Sequence, residues 1–265
     1  MKPQKALLKY CGKRERTINR LMAKPDSSFQ VSDYHDLRVE IKKARALGNL
    51  VESASKKFDS QKTVRPIIKI FNQAGKVREL QMELAAIRRH DPHGRIRHYP
   101  HTLRERIKKE QKSFSEVHKK EGNNLKKVFS DLNTAIRNSH QVGMDKYVQK
   151  EMKKITALAK TKEKLRTKKV HKLRKGLKRI YYNLKSLDQA DGHREYQNGE
   201  KLQDLMGKWH DTRVIYQHLL GAAKQNGRTP GETEAILQIA DKLLVESKKL
   251  YRQINAEKGK QFFPK

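Results

Sequence analysis

Apolar residues recur along nearly the whole chain at the three- to four-residue spacing of an amphipathic helix, and alternating strand patterns are missing. The pattern predicts eight helices, with approximate ranges 3–23, 33–55, 63–89, 102–138, 144–162, 165–188, 196–222 and 230–256. Helix-breaking residues separate several of these segments, such as Pro25, the Pro92–Gly94 stretch and Pro230. We therefore predict an all-α fold.

A short basic motif occurs twice along this pattern. The chain reads His-Asp-Leu-Arg-Val-Glu-Ile-Lys-Lys over His35–Lys43 and His-Lys-Leu-Arg-Lys-Gly-Leu-Lys-Arg over His171–Arg179, an offset of 136 residues. A second matched patch follows each copy, with Gly75–Glu79 corresponding to Gly207–Asp211 at an offset of 132. Ordered repeats indicate a duplicated unit, and we predict two four-helix bundles related by an internal pseudo-twofold axis. The predicted repeats, which together form one domain, span residues 1–140 and 141–265.

The first copy sorts its bases from its acids around the helix. At about 100° per residue, the cationic side chains fall in a stripe about 80° wide beside the apolar face. The members of this stripe are His35, Arg38, Lys42 and Arg45. Asp36 and Glu40 lie on another side of the helix, away from the stripe. Lys43 is the second of the two bases that follow Ile41, the last apolar residue of the motif.

The second copy repeats the stripe with His171, Arg174 and Lys178 at the same three angles. Lys175 and Arg179 extend the basic arc, and Tyr181 stands where the first copy has Arg45. One interpretation is that these bases only solvate helix surfaces. However, like charges at such spacings cost stability unless an anion is present, and here the arrangement occurs twice. The stripes therefore favour a phosphate-binding groove, and histidines beside a bound anion should hold protons, giving tighter binding at pH 6 than at pH 8.

The matched glycine patches have two interpretations. Gly75 and Gly207 either break their helices or allow a neighbouring helix to approach the stripe closely. In the second case Arg78 and His210, three residues after each glycine, would add to the groove. We expect the next residue of each patch to pair with a stripe base and fix its rotamer; these acids are Glu79 and Asp211.

The overall charge sets the class of partner. The chain has 62 Lys and Arg against 29 Asp and Glu, a net charge of +33, which attracts polyanions. The single cysteine, Cys11, excludes an intramolecular disulfide and favours the reducing cytosol. We read no signal peptide, and no apolar run approaches the roughly 20 residues that span a bilayer. We expect a cytoplasmic protein that does not bind membranes.

Together, these residues resemble the CHAD domain, a histidine-containing all-helical family that binds inorganic polyphosphate. The matching pieces are His35 and Arg38 with Lys42-Lys43, His171 and Arg174 with Lys178-Arg179, Arg78-Glu79 after the first glycine, and His210-Asp211 after the second. The resemblance covers roughly residues 5–256 and implies two pseudo-symmetric four-helix bundles that share a basic surface. The implied ligand contacts are His35, Arg38, Lys42, His171, Arg174, Lys178 and His210.

The resemblance also implies a location and a domain content. We expect association with polyphosphate granules, and sulfate or phosphate ions at the same positions in crystals. Proteins of the CHAD family often carry an attached triphosphatase domain, which is marked by a Glu-x-Glu-x-Lys motif on a strand. The nearest approach is Glu232–Ile236, which lacks the lysine and lies in a helical pattern, so we expect a stand-alone binding domain that needs no cofactor.

Other functions remain as alternatives. A nucleic-acid-binding or ribosome-associated protein would carry the same net charge, although no recognised reading motif is present. An enzyme acting on phosphate chains usually needs a paired-carboxylate metal site, which the sequence lacks, so we expect no catalysis. The loop with His90, Asp91, His93, His98 and His101 has metal-ligand residue types. Four arginines surround it and its spacing fits no zinc pattern, so we expect no metal there.

Overall fold

The computed structural model describes residues 3–25, 28–55, 57–161, 163–187, 197–225, 229–260 and 262–263. Within these ranges the chain forms nine α-helices and no strand, which confirms the all-α prediction. In chain order they are α1 Pro3–Met22, α2 Val31–Glu52, α3 Ser60–His90, α4 His98–Gly122, α5 Leu125–Arg137, α6 Gln141–Ala159, α7 Thr167–Ser186, α8 Gln197–Ala223 and α9 Pro230–Glu257.

The fourth predicted helix is in fact two helices. α4 ends at Gly122, and a turn through Asn123 and Asn124 leads into α5. Glycine and asparagine are weak helix formers, and the Asn124 side chain donates a hydrogen bond of 3.3 Å to Glu121. A continuous apolar period on both sides concealed this break in the sequence.

The two motif-bearing helices, α2 and α7, pack against each other. α1 and α3 flank α2, and α6 and α8 flank α7, so the order of neighbours is the same in both halves of the chain. α3 pairs with α4, α8 pairs with α9, and α3 also touches α8. These contacts bring the segments after both motifs together, while the pseudo-twofold axis stays a prediction.

The hydrophobic core forms two clusters, and each takes residues from both halves. Leu37 and Phe129 share the larger cluster with Leu173 and Trp209. The smaller cluster joins the α3–α4 pair to the α8–α9 pair and takes no described residue from α2 or α7; its members include Leu84, Tyr99, Leu219 and Ile236. Residues 1–140 and 141–265 thus do not have separate cores, and the two-bundle description also stays a prediction.

A buried polar network crosses the smaller cluster. The carboxylate of Glu83, which is fully buried, accepts a hydrogen bond from the Tyr99 hydroxyl and lies 2.9 Å from Nδ1 of His218. The Tyr99 backbone N–H donates to Glu232 at 2.7 Å. These bonds tie α3 and α4 to α8 and α9.

The end of α9 holds the loop that precedes α7. Nζ of Lys258 donates to the backbone oxygens of Thr161 and, at 2.7 Å, of Glu163. The Asn255 side chain accepts from the Leu165 backbone N–H at 2.9 Å. The start of the second motif helix is therefore fixed by the last helix. Nowhere in the ranges given above is a helix both long and apolar enough to cross a bilayer.

Candidate anion-binding site

The two basic stripes lie on adjacent helices and face a shared surface. The charges of Arg174 and Lys178 on α7 help to lower the pKa of Lys42 on α2, and the charge of Arg174 also helps to lower the pKa of Arg38. We term this surface, which α2, α3, α7 and α8 build, the basic groove. Its members are His35, Arg38, Lys42, Arg78, His171, Arg174, Lys178 and His210.

Arg38 is held in place by α3. Its guanidinium donates a hydrogen bond of 2.7 Å to the Phe71 backbone oxygen and stacks 4.1 Å above the centroid of the Phe71 ring. A Cβ built on Gly75 would lie 2.0 Å from Nη1 of Arg38. Gly75 thus neither breaks α3, which continues to His90, nor admits a helix backbone; its missing side chain makes room for the guanidinium.

The second glycine patch does not repeat this arrangement. A Cβ built on Gly207 would have no heavy atom within 4 Å, and α8 continues past it. The side chain of Arg174, the counterpart of Arg38, therefore does not occupy space left by the missing side chain of Gly207. Neither helix therefore breaks at its glycine, and of the two glycines Gly75 has a close neighbour and Gly207 has none.

Burial and crowding by like charges weaken the protonation of the two groove lysines. Burial, together with Arg38, Lys178 and Arg174, lowers the pKa of Lys42 to about 7, against the opposing effect of Asp211. Burial and Arg174 likewise lower the pKa of Lys178. An anion in the groove would favour the charged form of both amines.

The groove histidines respond in the same way. Burial, Arg174 and His171 lower the pKa of His210 to about 4, and burial with Arg78 lowers that of His35. The pKa of His171 is also lowered, first by burial and then by Arg174. His171 and His210 stand edge to face, with ring centroids 4.9 Å apart. These histidines are mainly neutral at pH 7 in the protein alone, and a bound anion would stabilise their protonated forms.

The two acids of the patches lie within the field of the groove. The negative charges of Glu79 and Asp211 both favour a higher pKa of Arg38, against the stronger effect of its burial. Burial raises the pKa of Asp211, although Arg174 and Lys178 oppose this effect. Among the described side chains, neither acid forms an ion pair. The predicted direct pairing with a stripe base is therefore not seen, and the acids act on the bases at longer range.

Three predicted site residues do not join the groove. Lys43 forms an ion pair of 2.7 Å with Glu40, and Arg179 forms one with Glu151. Glu40 also binds Nε of Arg14 at 2.7 Å. The Arg14 pair joins α1 to α2 and the Arg179 pair joins α7 to α6, whereas the Lys43 pair lies within α2. Arg45 is exposed, and it is not among the main causes of the pKa shifts of His35, Arg38 and Lys42.

Lys175 takes an intermediate position. It is exposed, but its charge acts on His171 and His210, so it borders the groove. Two further residues belong to the site that sequence reasoning did not select. The Phe71 ring stacks against the Arg38 guanidinium, and the charge of Arg213 helps to lower the pKa of His171. Their helical spacing from Gly75 and His210 is the signal that could have found them.

Some hydrogen-bond donors of the groove have no partner. The Nε–H groups of Arg78 and Arg174 are buried and make no hydrogen bond. An open cleft of about 540 Å³ adjoins His35 and Arg78 and is also lined by Gln30, Val31 and Ser32. Planar guanidinium groups match the oxygens of phosphate, so the groove can bind a phosphate-bearing anion.

The histidine-rich loop shows another organisation. Asp91 is buried and accepts backbone hydrogen bonds from Arg95 at 3.1 Å and Ile96 at 2.7 Å. The carboxylate therefore shapes the turn. In the parts of the chain that the structure describes, no three His, Cys, Asp or Glu side chains gather in a way that could hold a metal ion.

A protein of known structure shares the fold of this chain. No curated protein matches the chain. The crystal structure of the CHAD domain from the plant Ricinus communis superposes with a TM-score of 0.77, covering 96% of this chain and 91% of that chain at 15% identity, which shows a shared fold. The family model described as CHAD domain matches residues 24–220. Because this match spans most of its length, the chain belongs to the CHAD domain family.

Proposed function

We propose that the basic groove binds inorganic polyphosphate noncovalently. The observation that carries the proposal is the convergence of the α2 and α7 stripes on one surface, where Lys42 lies in the field of Arg38, Arg174 and Lys178. So many uncompensated cations on one surface suit a ligand with one negative charge at every repeat. Membership in the CHAD family supports the same ligand class.

A linear polyphosphate suits such a groove energetically. Each phosphate that binds raises the effective concentration of the next, so several weak contacts give a strong complex. Arginine forks at Arg38 and Arg174 would hold phosphate oxygens, and the lysines would act as point charges. Binding should weaken steeply with salt because phosphate contacts release counterions, as in nucleic-acid complexes.

Phe71 and Trp209, the large aromatic side chains beside the described groove residues, do not offer a free ring on which a nucleic-acid base could stack. The Phe71 ring is covered by Arg38 at 4.1 Å and approached by Lys42 at 5.5 Å. Trp209 is only 2% exposed. Binding of single-stranded nucleic acid commonly uses such stacking, so these contacts favour polyphosphate over a nucleic-acid or ribosomal partner.

Competition between polyanions tests this choice. Long-chain polyphosphate, single-stranded RNA and duplex DNA would be titrated at matched phosphate concentration and ionic strength. We expect polyphosphate to bind most tightly. Equal or tighter binding of either nucleic acid would remove the specific claim and leave a general polyanion binder.

A pair of substitutions tests the groove itself. Replacing Arg38 and Arg174 together with alanine should weaken polyphosphate binding at least about tenfold, because each arginine contributes a charge-assisted contact. Circular dichroism should show unchanged helicity. Two control variants remove the same number of charges at exposed sites, Lys119 with Lys120, and Lys248 with Lys249. Comparable losses from the controls would mean that net charge alone explains binding.

We also propose that the protein binds polyphosphate without cleaving it and acts in the cytoplasm at polyphosphate granules. Incubation of the protein with polyphosphate and magnesium, with free phosphate monitored, tests the first part. Sustained release of phosphate would contradict a purely binding role.

A further inference from the structure

A third stretch of the chain resembles the first basic motif. It reads His-Thr-Leu-Arg-Glu-Arg-Ile-Lys-Lys over His101–Lys109, where the first motif reads His-Asp-Leu-Arg-Val-Glu-Ile-Lys-Lys over His35–Lys43. Six of the nine positions are identical, whereas the motif at His171–Arg179 shares four of nine with the first. A basic face that only meets solvent needs charge, but it does not need this order of residue types. The match therefore indicates a shared role.

This segment is oriented in its helix as the other two are. It lies in α4, and at about 100° per residue His101, Arg104 and Lys108 fall within about 60° of one another around the helix. Leu103 is fully buried, as are the leucines at the same place in α2 and α7, and Ile107 packs against the smaller core cluster. We term the three outward-facing cationic positions, His101, Arg104 and Lys108, the α4 stripe.

The α4 stripe faces solvent, whereas the stripes of α2 and α7 face each other. α2 and α7 pack together, while α4 packs mainly against α3 in the described part of the chain. All three side chains of the α4 stripe are exposed, and that of Lys108 keeps 73% of its accessible surface. None of the three is among the main causes of the pKa shifts of the groove residues. The α4 stripe is therefore a surface separate from the basic groove.

The positive charge of the α4 stripe is only weakly compensated. Glu105, at the border of the stripe, pairs with Lys108 at 2.9 Å, but both side chains are more than half exposed. Such a surface pair is weak and is screened by salt, so another anion can replace it. Neither His101 nor Arg104 forms an ion pair with a described side chain.

We propose that the α4 stripe is a second binding site for polyphosphate. The proposal rests on the proposed function, because it takes its ligand from the two stripes that the α4 stripe resembles. The guanidinium of Arg104 would hold phosphate oxygens as a planar fork, and Lys108 would add a point charge. The imidazole of His101 can donate a further hydrogen bond. Because these side chains are exposed, salt screens their contacts more strongly than those of the half-buried groove.

Two separate sites change what one molecule can do. A long polyphosphate chain held in the basic groove raises the effective concentration of its free segments near the α4 stripe. The same protein could instead hold two chains, one at each surface. The α4 stripe thus adds affinity for long chains beyond what the groove alone supplies.

Substitutions in a weakened groove isolate the α4 stripe. The groove variant carries Arg38→Ala with Arg174→Ala, and the test variant adds glutamine at His101, Arg104 and Lys108. The added changes should weaken binding of long-chain polyphosphate at least about fivefold, because phosphate contacts are lost. The salt dependence of affinity should also become shallower, since fewer counterions are released on binding. Isothermal titration at several salt concentrations measures both effects.

A matched triple substitution controls for net charge. Arg137→Gln, His140→Gln and Lys146→Gln remove the same residue types at exposed positions around the start of α6. In the groove variant this control should lower affinity less than the α4 changes and leave the salt dependence unchanged. Circular dichroism should show the same helicity in all variants, because every changed side chain outside the groove is exposed. Equal losses from the two triple substitutions would overturn the proposal.

Duplex RNA is another polyanion that an exposed basic helix face could bind. A flexible polyphosphate chain can follow the stripe, which is about 10 Å long at 1.5 Å per residue, while a stiff duplex fixes the positions of its phosphates. Titrated at matched phosphate concentration and ionic strength, RNA should lose less affinity than polyphosphate through the α4 changes. An equal or larger loss for RNA would assign the stripe to nucleic acid and overturn the proposal.

Failure of this proposal can be told from failure of the proposed function. The groove substitutions in an otherwise wild-type chain test the groove alone. Loss of binding from these substitutions, with equal effects of the α4 and control triples, overturns only the second site. Unchanged binding in the groove variant, with a specific loss from the α4 triple, supports the α4 stripe and overturns the proposed function of the groove.

Discussion

At the scale of single residues, the groove is governed by competition among its own cations. Lys42, Lys178 and the histidines all have lowered pKa values because they share one partly buried surface. A bound anion reverses this effect, so binding is coupled to proton uptake. Affinity should therefore fall as pH rises through the pKa values of the protein alone.

Lys42 should contribute strongly to this response between pH 7 and 8. Its pKa is about 7 in the protein alone and higher in the complex, so binding takes up a proton above pH 7 and needs none well below it. The contribution of Lys42 to the loss of polyphosphate affinity from pH 6 to pH 8 should be about tenfold. In Lys42→Arg the group stays charged, so isothermal titration should show a flatter pH profile.

Lys43→Arg is the matched control and should keep the wild-type profile, because Lys43 pairs with Glu40 outside the groove. An unchanged pH profile in Lys42→Arg would contradict the role of Lys42. The pKa values of His35 and His171 lie below the usual value of 6.5 in the protein alone, so these histidines begin to add to the loss of affinity at a lower pH than Lys42 does.

Residue positions on a helix were predictable where only the local period mattered. The 100° rule placed His35, Arg38 and Lys42 on one side, and the structure puts all three in the groove. The same rule could not anticipate that Arg179 pairs with Glu151, because this acid comes from another helix. Contacts between distant segments decide which bases of a motif remain unpaired.

At the scale of elements, α3 forms a wall of the groove through three features one turn apart. The guanidinium of Arg38 stacks on the Phe71 ring and donates a hydrogen bond to the Phe71 backbone oxygen. Gly75 leaves space for this guanidinium, and Arg78 adds a further cation. The position of the first stripe thus depends on a helix outside the basic motif. The glycine patch marked this helix correctly in the sequence, but its geometric role needed the three-dimensional neighbour.

Substitution of Gly75 tests this dependence. Gly75→Ala would place Cβ 2.0 Å from Nη1 of Arg38, and the flexible guanidinium must move. We expect severalfold weaker polyphosphate binding, while the helix itself gains about 1 kcal/mol of intrinsic propensity. Thermal unfolding and binding titration together check both effects.

Gly207→Ala is the control for the same change at the matched position. No heavy atom lies within 4 Å of the added Cβ, so this variant should keep wild-type affinity. Equal loss of binding in both variants would mean that the glycines act through helix flexibility rather than through space for Arg38.

Helix boundaries show the same limit of sequence reasoning. The apolar period predicted helices in nearly every place where the structure has one. It did not reveal the break between α4 and α5, because Gly122, Asn123 and Asn124 fit within a continuing apolar period. Local propensity decided this boundary, and periodicity alone does not measure propensity.

At the scale of the whole molecule, the Glu83 network joins the two helix pairs behind the groove. Glu83 binds Tyr99 of α4 and His218 of α8, and Glu232 of α9 binds the Tyr99 backbone. The hydrogen bond to Glu83 raises the pKa of His218, with burial opposing it, and the charges of Glu79 and Arg106 also act on this histidine. A protonated His218 should therefore stabilise the fold.

The pH dependence of unfolding tests this contribution. A histidine with a raised pKa adds stability that is fully present below its unfolded pKa of about 6.5 and is lost as pH rises through its folded pKa. His218→Gln keeps a donor for Glu83 without the charge. Urea unfolding should show a wild-type advantage of about 1 kcal/mol at pH 6, because the group is partly exposed, and a smaller one at pH 9.

The exposed His93 offers a comparison, since His93→Gln should change stability little at either pH. A wild-type advantage over His218→Gln that is independent of pH would assign the effect to packing. Sequence reasoning gave no sign of this network, because Glu83 and His218 are 135 residues apart and belong to neither repeated patch.

The shared core has a consequence for how the two walls of the groove come into being. Leu37 and Leu173 belong to one apolar cluster, and Leu84 and Leu219 to the other. A chain cut at His140, between α5 and α6, would yield two fragments, each with exposed apolar surfaces that only the other fragment can bury. Expressed singly, each should be insoluble or unfolded; expressed together, they should reassemble, and polyanion capture would appear only in the reassembled pair.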